Sequence, residues 1–222
     1  MIHTLAFSNY RSVQDLVMPL DNLNLVTGSN GSGKSNIYKA LRLLAEAANG
    51  GGINALAREG GLDSTFWAGP SEISNSMRNE TAKVEGNHPQ KVKRLKLGFA
   101  SDDFSYSVSL GITPPLPYPS AFNLDPEIKR ESIWHGLSYR PASALIERKE
   151  SIVKAKKDKQ WHVLSQHLPL YESIFTQIAD PVQSPEVILL REFIKNWFLR
   201  PLQNRFRRPR QNTPIRHSHT CS

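Results

Sequence analysis

The residues best suited to chemistry are Gly28-Ser29-Asn30-Gly31-Ser32-Gly33-Lys34-Ser35-Asn36. Gly28, four variable residues, then Gly33-Lys34-Ser35 is the spacing of a loop that holds phosphate. Side chains at the turning positions would block a polyphosphate from approaching the backbone, which accounts for the glycines. Free N–H groups of such a loop form a nest, backed by the positive end of the helix that follows. Lys34 would bridge the β- and γ-phosphates, and Ser35 would give its hydroxyl to Mg²⁺. The plainer alternative is a glycine-rich turn that only joins a strand to a helix. A chance match to this spacing arises in roughly one such chain in a hundred.

The loop needs a strand before it and a helix after it. Leu23–Val26 reads as a buried strand, and Ile2–Phe7 as an edge strand. From Lys34 the period changes: Ile37, Ala40, Leu41, Leu44, Ala45 and Ala48 form the apolar stripe of a helix. Asn49 and the three glycines after it end that helix. Residues 69–90 and Thr113–Pro119 read as loops. Lys91–Ala100 and Phe104–Ile112 alternate about a Ser101-Asp102-Asp103 turn, an antiparallel hairpin. Ala144–Val153 and Gln160–Leu164 suggest a second hairpin, with the charged Lys154–Lys159 between them. Leu170–Ala179 is expected to be helical. A last helix should start at Ser184 as N-cap with Pro185 in its first turn, burying Val187, Leu190, Ile194 and Trp197.

With 222 residues the chain suits one sizeable domain. It shows no basic start followed by an apolar run, and no apolar stretch of membrane-spanning length. Its single cysteine, Cys221, fits a reducing, cytoplasmic setting. The net charge of +8 is concentrated at one end: residues 198–222 hold six arginines and no acid, leaving +2 for residues 1–197. Nucleic-acid binding suggested by charge is therefore a property of the tail.

Asn9-Tyr10-Arg11-Ser12, Leu23-Asn24-Leu25-Val26-Thr27-Gly28 and Asn30-Gly31-Ser32-Gly33-Lys34-Ser35-Asn36, in that order, resemble the N-terminal lobe of RecF/SMC-like ATPases of the ABC type. The resemblance is densest over residues 1–48 and looser through Phe66-Trp67-Ala68-Gly69-Pro70, Leu124-Asp125-Pro126-Glu127 and Asp180-Pro181 to Trp197. It implies an α/β fold: a P-loop NTPase core carrying an antiparallel β-subdomain, with an incomplete C-terminal lobe. It further implies ATP held with Mg²⁺ by Gly28 through Asn36, a possible nucleotide contact from Arg11, a homodimer of heads, and action on DNA. Trp67 is expected in the core or as a loop anchor rather than stacked on adenine.

Four elements of that family's chemistry are missing: an apolar strand ending in an acid, a base or polarising residue for the attacking water, a Leu-Ser-Gly-Gly-Gln-like signature and a Q-loop glutamine. Val187–Glu192 has some of the composition of the acidic strand but the spacing of a helix. Hydrolysis is accordingly expected to be weak or absent. Codons for Phe198 to Arg210 can be chosen so that reading one base later restores the family's phrase. Residues 198–222 are then expected to be a disordered, out-of-frame tail on a truncated lobe spanning residues 1–197. Within that tail, His217, His219 and Cys221 make too few ligands for a metal site. Two other function classes remain open: a small P-loop kinase, which needs an arginine lid and an acceptor pocket, and a non-enzymatic product binding nucleic acid through the tail.

Overall fold

The computed structural model describes residues 1–69, 93–112 and 125–197. The expected loops at 69–90 and Thr113–Pro119, the tail at 198–222 and its His217, His219 and Cys221 lie outside the described residues, apart from Gly69.

One antiparallel sheet of eight strands organises the chain, in the order β2-β1-β3-β4-β5-β6-β7-β8. Its strands are β1 (Ile2–Tyr10), β2 (Val13–Pro19), β3 (Arg94–Ser101), β4 (Phe104–Ile112), β5 (Pro126–His135), β6 (Ala144–Lys149), β7 (Ile152–Lys157) and β8 (Gln160–Ser165). The helices are α1 (Lys34–Ala48), α2 (Gly52–Arg58), α3 (Gly61–Thr65), α4 (Ile174–Gln177) and α5 (Pro185–Lys195). Alternation along the strands sends Leu5, Phe7, Leu95, Leu97, Phe99, Tyr106 and Val108 into one buried cluster with Ala40, Leu43 and Leu44 of α1. Each such leucine or phenylalanine contributes roughly 1.5–3 kcal/mol on leaving water. Helix α1 rests on β1 and β3, so the loop that opens it is anchored to the sheet.

The expected β3–β4 hairpin forms, with Leu97 opposite Val108 and Phe99 opposite Tyr106. Helix α1 spans the expected residues, and α5 buries Val187, Leu190 and Ile194, which confirms Val187–Glu192 as helical. Ser184 does not cap α5 with its side chain; its hydroxyl donates back to the Asp180 carbonyl instead.

Four expectations are corrected. Leu23–Val26 is not a strand: Leu23 and Leu25 are 90% and 86% exposed, because no described strand lies beside them to complete a ladder. Strand β1 is interior rather than an edge, since Val13–Pro19 folds back beside it through Asn9 and Arg11, both left-handed at φ 62° and 51°. The second hairpin has three strands: Lys154 and Lys156 belong to β7, whose Val153 and Ala155 point into the core, and the turns fall at Glu150-Ser151 and Asp158-Lys159. Helix α4 covers only Ile174–Gln177 of the expected Leu170–Ala179, because the carbonyls of Leu170 and Glu172 serve Ile128 N–H and Arg148 instead. Strand β5 has no counterpart in the sequence reading.

A buried ion pair joins β5 and β6 to the segment before α4. Glu131 and Arg148 are both fully buried, and Arg148 Nη1 donates to Glu131 Oε2 over 2.8 Å. Glu131 also accepts from Tyr106 Oη (2.7 Å), Ser173 Oγ (2.6 Å) and Ile174 N–H (3.0 Å). Arg148 reaches the carbonyls of Glu150, Pro169 and Glu172. Such a set is tolerable in a core because each charge is met by several partners.

Candidate phosphate-binding site

Thr27 through Ser32 run exposed over the surface into α1. Gly33 takes the N-cap position with φ +90°, a left-handed conformation suited to glycine. A Cβ there would also fall 2.6 Å from Ser12 Oγ. No side chain caps α1, and its first turn holds no acid, so the first two N–H groups, of Lys34 and Ser35, and the positive helix end stay open to an anion among the described residues. That opening suits the phosphates of a nucleotide.

Lys34 lies folded over the loop. Its Nζ donates to the carbonyls of Gly28 (2.5 Å) and Ser29 (2.6 Å) and to Ser32 Oγ (3.3 Å). Ser32 N–H donates to Ser29 C=O at 3.3 Å, and Asn36 N–H to Gly33 C=O at 2.9 Å, tightening the turn. Ser35 is exposed at the helix start, so its hydroxyl is available to a phosphate-bound cation. Asn36 instead turns to the sheet, donating from Nδ2 to Ser12 Oγ at 2.7 Å.

The Asn9–Ser12 turn thus touches the loop through Ser12 and holds the α2–α3 corner with its other side chains. Arg11 Nε and Nη2 donate to Glu59 Oε2 at 3.2 and 2.7 Å, and Tyr10 Oη donates to the same oxygen at 3.0 Å. Arg11 N–H donates to Thr65 C=O, while Asn9 accepts from Trp67 N–H and donates to Arg94 C=O. Burial and then the Glu59 charge push the Tyr10 phenol well above its ordinary value. The hydrogen bonds to Glu59 hold the Arg11 guanidinium even more firmly protonated than usual. Glu59 and Thr65 belong to no motif, so only the fold reveals them.

Two concavities lie away from the loop. One sits beneath the C-terminal half of α1, between Leu43, Ala47, Leu97 and Ile128; the other is a trough on the outer face of the sheet, between Thr4, Ala6, Lys96, Gly98 and Trp134. The candidate site is instead an exposed loop at the start of α1. No cluster of three or more His, Cys, Asp or Glu able to hold a metal occurs among the described residues.

Residues 1–181 match the AAA ATPase domain. The chain belongs to that family. This AAA ATPase domain is also similar to the DNA replication and repair protein RecF of Idiomarina loihiensis (strain ATCC BAA-735 / DSM 15497 / L2-TR), with 30% identity over 83 residues. The shared stretch is 36% of this chain and 23% of that protein. The chain thus matches less than a quarter of the length of its curated relative. No helix among the described residues of the ATPase domain is long and apolar enough to cross a membrane.

Proposed function

We propose that this chain binds ATP with Mg²⁺ at Gly28, Ser29, Asn30, Gly31, Ser32, Gly33, Lys34, Ser35 and Asn36, as the N-terminal lobe of a RecF/SMC-like ATPase head. The reading is carried by the uncapped, acid-free start of α1 behind a loop whose Gly33 is left-handed. Triphosphate oxygens take the open amides. Lys34 leaves the Gly28 and Ser29 carbonyls for the β- and γ-phosphates, and Ser35 gives its hydroxyl to Mg²⁺. The metal shields phosphate charge when bound. Asn36 keeps the helix start against Ser12, and Arg11, one residue away, is the candidate for a further contact.

On this reading binding is retained while hydrolysis is slow. No described strand ends in an acid beside Ser35, and the exposed Leu23–Val26 segment is where the nucleotide core would continue. The family's head-to-tail dimer and its use of DNA, to which the name of the RecF relative also points, are proposed for the full-length assembly rather than for this chain alone.

Calorimetric titration of Mg-ATP tests the site. Lys34→Ala should weaken binding by about 10- to 100-fold, since one charge-assisted set of phosphate contacts is lost. Ser35→Ala should reduce chiefly the Mg²⁺-dependent part. Unchanged ATP affinity in a folded Lys34→Ala sample leaves the loop as a mere turn.

A further inference from the structure

The eight-stranded sheet is open, so β2 and β8 each leave one side of the ladder unpaired by any described strand. Natural sheets blunt such edges with charge or proline on the edge strand itself. Strand β2 follows that practice, carrying Asp15 and ending at Pro19. Strand β8, Gln160-Trp161-His162-Val163-Leu164-Ser165, holds no lysine, arginine, acid or proline. Trp161 and Val163 are 39% and 48% exposed on it.

The charge stands one strand further in. Register pairs Lys154 with Val163 and Lys156 with Trp161, so these four side chains share one face. Lys156 Nζ donates to the Pro141 carbonyl at 2.6 Å, which leaves its charge without a carboxylate among the described residues, and lies 5.8 Å from the Trp161 ring centroid. Lys157 and Lys159 add charge at the turn, against Asp158 alone. A strand added to β8 would lie about 5 Å beyond it and about 10 Å from β7, a gap that extended lysine and glutamate side chains close together.

We propose that β8 is a docking edge for an extended acidic segment of a partner protein, captured by strand addition. The main chain of β8, unpaired by any described strand, supplies the ladder, Trp161 and Val163 receive apolar side chains, and Lys154 and Lys156 pair with carboxylates. A second copy of this chain pairing through its own β8 would bring no carboxylate to these lysines, because that strand holds no acid. Nucleic acid would use the lysines but would leave the ladder edge unused. The proposal is independent of nucleotide binding.

The test uses the full chain and a short fluorescein-labelled peptide of alternating Glu and Val, followed by anisotropy. Salt-sensitive binding is expected. It should weaken at least about tenfold in Lys154→Glu/Lys156→Glu and in Val163→Lys, and be unaffected by Lys34→Ala. A peptide N-methylated at alternate residues should not bind, and this arm needs no protein variant that could fail to fold. Absence of binding, equal binding of the N-methylated peptide, dimerisation through β8, or displacement by an oligonucleotide that binds more tightly would each overturn the proposal.

Discussion

At the scale of single residues, the loop and the core use charge in opposite ways. Lys34 is exposed to exchange of partners, because its three acceptors are two carbonyls and a hydroxyl at the surface. Arg148 has no such freedom. Its guanidinium is enclosed by Glu131 and three carbonyls, and Tyr106 and Ser173 complete the carboxylate's set. Removing one member of a buried pair strands the other without water. Arg148→Met should therefore cost about 3–5 kcal/mol, whereas replacing Glu131 and Arg148 together by apolar residues should cost less. Urea unfolding of the two variants checks this; an equal loss in both would mean that the pair is not the source of the cost.

At the scale of elements, a run of apolar residues becomes a strand only when a neighbour offers a ladder. The segment Leu97-Gly98-Phe99 has one on each side, from β1 and β4, and is buried. Leu23–Val26 has comparable side chains, yet no described strand offers it a partner. Amide hydrogen exchange should accordingly be fast at 23–26 and strongly slowed at 95–99. Equal protection in the two would place Leu23–Val26 in a ladder after all. Helix α1 needs no such partner to be recognised, since its own hydrogen bonds are internal and its stripe only needs a sheet to rest on.

At the scale of the whole molecule, layers of helix against one sheet face enclose phenols as well as leucines. Burial, with Glu131 beside it, raises the Tyr106 phenol well above its ordinary 10.0, and burial with Glu59 does the same to Tyr10. In the unfolded chain both would lose protons near pH 10, while in the fold they keep them. The folded state thus binds more protons in that range, and stability falls as pH rises above 10.0. Urea midpoints measured from pH 8 to 11 should drop, and the drop should be shallower in Tyr10→Phe/Tyr106→Phe; an unchanged slope would exclude these phenols as the cause.

By itself the sequence determined the glycine-loop spacing, the span of α1, the β3–β4 hairpin and the buried face of α5. Each is a local pattern: a fixed spacing of glycines, or a periodicity of apolar side chains that hydrogen bonds within the element can satisfy. Only the tertiary structure decided which apolar run is a strand, where β5 lies, and where β6, β7 and β8 divide. It also decided that Leu170 and Glu172 give their carbonyls to Ile128 and Arg148 rather than to a helix, and that Glu59 meets Tyr10 and Arg11. Those outcomes depend on partners far along the chain, and a backbone group takes the best partner that the packed molecule brings to it.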